Sequence, residues 1–163
     1  MNECKQCRDY SSYLDISQPT TILRNNLVKT TDFRHNHIAM VLNGPFKKIP
    51  NYTTYGINNV TITNDVSEHA EVNALKKLPP NKDHPIRINI LVLRISKQGV
   101  LGMSKPCAHC LDYMSRIKGY TIRHIYYSNE EGKIIRHSYN QLANDENKHV
   151  STGYKCKQNI KKL

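Results

Sequence analysis

Apolar residues recur along this chain in two rhythms, one helical and one strand-like. At 17–29, Ile22, Leu23, Leu27 and Val28 fall at helical spacing. Ser17 can cap and Pro19 suits a first turn, so a helix is predicted there. The run from Ile38 to Leu42 is short, apolar and bounded by polar residues, which predicts a buried strand at 37–42. Asn43, Gly44 and Pro45 mark a turn, and the Tyr- and Thr-rich stretch 52–57 predicts a second strand pairing back on the first. Ala70, Ala74, Leu75 and Leu78 share one face of a helix expected at 67–78, stopped by Pro79 and Pro80. The stretch 88–95 is the most apolar strand and is expected at the centre of a sheet. A turn at 99–102 leads to a helix opened by Pro106 and running to about residue 118. Strands are expected at 120–127 and 133–139, joined by a turn at 128–132, with a short helix at 140–144.

This order, α-β-β-α-β-α-β-β, fits a three-layer α-β-α domain around a five-stranded mixed sheet. The link between the fourth and fifth strands is only five residues, 128–132. A parallel pair needs a crossover of about a dozen residues or more, so these two strands are expected as an antiparallel hairpin. The predicted domain spans 17–144, preceded by a polar extension at 1–16. A basic tail follows at 145–163, carrying five lysines against two acids.

Charge and cysteine usage narrow the setting. The chain has 163 residues, 24 Lys plus Arg against 13 Asp plus Glu, and a formal net charge of +11. Such an excess suits polyanionic partners or phosphorylated substrates, although the positive residues are scattered and also serve solubility. No apolar run reaches the 18 or so residues of a membrane span, and the N-terminus shows no apolar signal region, so a cytoplasmic protein is expected. Five cysteines, an odd number, argue for reduced thiols and metal rather than disulfides.

The chemistry concentrates in two places. His69, Ala70 and Glu71 supply an imidazole and a carboxylate two residues apart; Pro106, Cys107 and Cys110 supply two thiols three residues apart after a proline. One His and two Cys make three zinc ligands and leave the fourth tetrahedral position to water, the pattern of a catalytic zinc. A helix opening at Pro106 puts both thiols on one face, at the positive end of the helix dipole, which favours thiolate. Glu71 is too close to His69 in sequence for both to be ordinary ligands, and its expected role is to move protons.

Together, His-x-Glu and Pro-Cys-x-x-Cys form the signature of zinc nucleobase deaminases. On these residues the chain resembles the cytidine deaminase-like superfamily, over roughly residues 20–140. The resemblance implies hydrolytic deamination of a pyrimidine nucleoside or nucleotide of the cytidine or deoxycytidine type, with Zn²⁺ on His69, Cys107 and Cys110 and with Glu71 as proton shuttle. It further implies that the Ala70 N–H binds the ring carbonyl, that Asn58, in a Gly-x-Asn just before the zinc helix, holds the sugar, and that a backbone carbonyl at Ser104 or Lys105 takes the leaving ammonia. In the superfamily an antiparallel final strand pair resembles the free-cytidine and blasticidin-type enzymes, whereas His as first ligand and the run His-Ala-Glu-Val-Asn-Ala-Leu look like the deoxycytidylate branch. Base, sugar and phosphorylation state stay open between them. The same edge packs superfamily members into closed assemblies, so a homodimer or homotetramer is expected. Two other classes are weighed. The +11 charge suits a nucleic-acid editing deaminase, which the hairpin disfavours. A catalytically silent zinc-fold protein is disfavoured by the intact glutamate.

Cys4 and Cys7 form a second Cys-x-x-Cys that, with His149 and Cys156, would complete a structural zinc site joining the termini. The plainer reading, two incidental thiols in a polar segment, is preferred. The remaining histidines, among them His35, His37, His84, His124 and His137, are read as surface or packed residues. His109, between the two cysteines, is expected to point away from the metal.

Overall fold

The computed structural model describes residues 9–11, 17–27, 35–42, 44, 52–60, 67–96 and 98–151. In chain order its elements are α1 (Ser17–Leu27), β1 (His35–Leu42), β2 (Tyr52–Ile57), β3 (Asn59–Val60), β4 (Ser67–Glu68), α2 (Ala70–Lys76), β5 (Ile86–Ser96), β6 (Leu101–Gly102), α3 (Ala108–Arg116), β7 (Tyr120–Ser128), β8 (Ile134–Ser138) and α4 (Tyr139–Ala143).

The main sheet runs β2-β1-β5-β7-β8, with β6 pairing along the end of β5. The predicted central strand is central: β5 lies antiparallel to β1 and parallel to β7. The last two strands form the expected antiparallel hairpin, His124 opposite Ser138 and Ser128 opposite Ile134. Alternation along β5 sorts the core into two layers. Leu91 and Leu93 join Ile38, Met40 and Leu23 of α1 on one face. Ile88, Ile90 and Val92 join Ala39, Val41 and the apolar sides of α2, α3 and α4 on the other. Helices therefore cover both faces of a mixed sheet, as the three-layer reading requires.

Four expectations are corrected. The sheet has six strands rather than five, because Gly99 at positive φ turns the chain so that Leu101 and Gly102 pair with Ile95 and Arg94. A two-residue strand leaves no periodicity to read. The helix expected from Ser67 begins only at Ala70: Ser67 and Glu68 pair with Val60 and Asn59, and His69 stays extended. The helix expected from Pro106 begins at Ala108, since Cys107 is also extended and serves as N-cap. Tyr139 belongs to α4 rather than to the last strand, because Ser138 and Gln141 form a capping box.

Neither flanking segment is wholly loose where it is described. Tyr10 donates its N–H to the Ile134 carbonyl at 2.7 Å and sets its ring edge-on to Tyr126 at 5.4 Å. The first residues of the expected tail, 145–151, are tied down as well: Lys105 pairs with Asp145 at 2.6 Å, and Ala108 N–H donates to the His149 carbonyl at 2.7 Å. Cys4, Cys7 and Cys156 lie outside the described residues.

One close approach positions α2. A Cβ at Gly56 of β2 would overlap the Ala74 nitrogen and the Ala70 carbonyl, so the helix backbone rests directly on the strand. Thr54 Oγ1 adds a hydrogen bond to the Ala74 carbonyl at 2.9 Å. The Gly56→Ala variant is expected to lose stability at or beyond the upper end of the ~1–3 kcal/mol typical of overpacking. Urea unfolding measures this, and a loss below about 0.5 kcal/mol would show that α2 need not sit so close.

Candidate metal centre

Both halves of the signature end up at helix starts. His69 is the N-cap of α2, and Asn73 N–H bonds back to its carbonyl at 3.0 Å. Cys107 is the N-cap of α3, and Leu111 N–H bonds back to its carbonyl at 3.0 Å. Cys110 sits three residues on, where N-cap and N3 side chains meet. The first free N–H of each helix is also satisfied: Ala70 N–H by Asn58 Oδ1 at 3.1 Å, Ala108 N–H by the His149 carbonyl.

The result is a compact triangle. His69 Nδ1 lies 3.2 Å from Cys110 Sγ and 3.4 Å from Cys107 Sγ, and the two sulfurs are 3.6 Å apart. A tetrahedral zinc with bonds of about 2.3 Å to sulfur and 2.0–2.1 Å to nitrogen sets sulfurs about 3.8 Å apart and sulfur to nitrogen about 3.6 Å apart. Each observed edge falls within a few tenths of an ångström of these values. The sulfur separation is well beyond a disulfide bond of about 2.05 Å. The three donors suit zinc in kind as well as in spacing, two thiolates and an imidazole. Among the described residues, this is the group of His, Cys, Asp and Glu able to hold a metal.

The electrostatics reflect crowding of three acid–base groups. The hydrogen bond from Cys110 pulls the Cys107 thiol down to about 3, against burial, with His69 helping. Cys110 is driven up by that same bond and by burial. The Cys107 hydrogen bond raises His69. Glu71 is 6% exposed and is raised by burial, with His69, Cys107 and Cys110 all in electrostatic reach.

Beside the triangle opens a cavity of about 550 Å³ whose walls include His69, Glu71, Cys107, Asn58 and Ser104. Asn58 is held in place twice, by Ala70 N–H and by His37 Nδ1 at 3.2 Å. Ala70 N–H, expected to bind substrate, is occupied by Asn58 here. The Ser104 hydroxyl is 2.7 Å from the Val92 carbonyl and 2.8 Å from Ser128 Oγ, pinning the loop before α3 to β5 and β7. His109 is exposed and stands outside the ligand triangle. His149 lines the cavity, and so does Arg94, which the pattern reading did not single out. The signal was available: Arg94 follows Ile88, Ile90 and Val92 on the inward side of β5, a charge where the alternation calls for an aliphatic side chain.

No protein-family model matches the chain, and no curated protein matches it. Among solved structures, the chain is similar to the cytidine deaminase from Burkholderia pseudomallei, at 18% identity and a TM-score of 0.45, over 68% of this chain and 80% of that one. The His69, Cys107 and Cys110 cluster and the signature around it fit a cytidine deaminase-like zinc fold.

The metal reading predicts about one zinc per chain by elemental analysis. Cys110→Ser should lose the zinc and lower the melting temperature, because metal binding stabilises the folded state. His109→Ala should leave the zinc content unchanged. A folded, metal-free protein after purification without chelators would overturn the assignment.

Proposed function

We propose that the protein is a zinc-dependent hydrolytic deaminase acting on a pyrimidine nucleoside or nucleotide of the cytidine or deoxycytidine type, releasing ammonia and leaving the uracil form. The observation that carries this reading is the placement of Glu71. Its buried carboxyl lines the same cavity as His69 and Cys107, and that cavity, at about 550 Å³, is sized for a nucleoside or nucleotide.

Held by His69, Cys107 and Cys110, zinc would supply a Lewis acid that brings the pKa of a water toward neutrality. Glu71 takes a proton from the attacking water at its carboxylate. It delivers that proton to N3 of the ring as C4 is attacked, then carries the second to the departing amine. Oxygen joins C4, the C4–N bond breaks, and ammonia leaves with the transferred proton. Burial raises the Glu71 carboxyl, which suits a group that must both take and return a proton near neutral pH. Asn58 and Ser104, on the cavity wall, are the chain's candidates for orienting the substrate.

The antiparallel β7–β8 pair supports a small-molecule substrate, because in the superfamily the chain resembles it accompanies enzymes of free cytidine. Editing of a polymer is favoured only by the +11 net charge.

Glu71→Gln should keep zinc and fold while losing at least ~10²–10⁴-fold in kcat. Ammonia release from cytidine, deoxycytidine, their 5′-monophosphates and a single-stranded oligonucleotide measures both the activity and its substrate class. Full activity in the Glu71→Gln protein would place the proton shuttle elsewhere. Faster turnover of the oligonucleotide, falling steeply with salt, would move the assignment to the editing class.

A further inference from the structure

Arg94 lines the cavity beside the metal centre. It continues the inward row Ile88, Ile90, Val92 of β5 and so faces the metal side of the sheet. His37 lies directly opposite it on β1, and Gly102 lies opposite on β6. The Arg94 stem packs beside Gly102; a Cβ there would sit in ordinary contact, 3.6 Å from Arg94 Cδ. Arg94 Nε is buried and has no hydrogen-bond partner, and no carboxylate pairs with the guanidinium among the described residues. Arg94 as a whole is only half-buried, but a buried N–H donor with no acceptor is costly unless something completes it.

The rest of the wall adds one more cation and three imidazoles. Lys105, His37, His69 and His149 share the cavity with Arg94, and Glu71 is the one carboxylate among the lining residues. Lys105 already has Asp145, so the cation left to be answered is Arg94. These groups come from β1, β5, the start of α2, the loop before α3 and the segment after α4, and they line one cavity. A doubly charged, tetrahedral group with several acceptor oxygens uses donors arriving from several sides.

We propose that Arg94 determines substrate class by binding the 5′-phosphate of the substrate, so that the protein acts on a pyrimidine 5′-mononucleotide in preference to the free nucleoside. The inference rests on the deaminase reading and deepens it. Arg94 binds the phosphate monoester, with His37 beside it across the strand pair, while the base extends toward Glu71.

Calorimetry on the zinc-loaded full chain carrying Glu71→Gln tests this without turnover. Deoxycytidine 5′-monophosphate should bind at least ~10-fold tighter than deoxycytidine, the gain of one charge-assisted contact. Adding Arg94→Gln should close that gap and leave deoxycytidine binding as it was; Arg94→Lys should keep part of it. Inorganic phosphate should compete with the monophosphate and not with deoxycytidine, an arm that needs no variant at Arg94. The inference is overturned by equal binding of the two compounds, by no measurable binding of the monophosphate, or by a preference that survives Arg94→Gln. Tighter, Arg94-dependent binding of a single-stranded oligonucleotide also overturns it. Ammonia release by the wild-type protein separates the two readings. Arg94-dependent phosphate binding with no ammonia from any compound would remove the deaminase reading alone. Equal kcat/KM for nucleoside and nucleotide would remove this inference alone.

Discussion

Three donor atoms must be held within 3.6 Å of one another by pieces of chain 38 residues apart, and most of the described architecture serves that requirement. The solution is to use helix starts. An N-cap residue is extended and belongs to neither the helix nor the free loop, so its side chain leaves the helix end at a fixed angle. His69 and Cys107 both take this position, and the two helix starts meet on one face of the sheet, His69 Nδ1 within 3.4 Å of both sulfurs. Each helix is then fixed independently. Backbone contact at Gly56 seats α2, and packing of Leu111 and Met114 on the core seats α3. The closeness of the two sulfurs lowers the Cys107 thiol and raises the Cys110 thiol. Zinc held there would couple metal binding to folding.

The polar groups around the triangle divide into those that hold the frame and those that face the cavity with capacity to spare. Asn58 ties Ala70 to His37, and Ser104 ties the α3 approach to β5 and β7. Glu71 and Arg94 are different. The first is a carboxyl kept from water by burial, the second a guanidinium whose buried nitrogen lacks a partner. A buried carboxyl and a half-buried guanidinium on one cavity wall, with no ion pair between them among the described residues, are the arrangement expected where an incoming molecule completes the charge balance.

Much of this was legible in the chain. The apolar rhythm showed the long elements, because β5 buries both faces and the helices bury one. The five-residue link at 128–132 was enough to dictate the hairpin. The cluster of His69, Cys107 and Cys110 could be read because zinc chemistry demands particular atoms at particular spacings. What escaped depends on long-range pairing. Ser67 and Glu68 read as helix, yet the partner strand and Asn58 delay the helix to Ala70. Pro106 read as a first turn, yet Cys107 must remain extended to aim its sulfur. The strap at 145–151 has tail-like composition, and only the fold brings the His149 carbonyl to the start of α3. Arg94 looked like one scattered cation among 24 Lys and Arg residues until the register put it in an apolar row.

As an open, three-ligand zinc site, His69, Cys107 and Cys110 would leave one coordination position to water. X-ray absorption at the zinc edge on the metal-loaded protein reads the coordination shell directly. The expected shell is two sulfur ligands at about 2.3 Å and two nitrogen or oxygen ligands at about 2.0–2.1 Å, one of them exchangeable. A shell of four sulfurs, or one of oxygen ligands without sulfur, would contradict it.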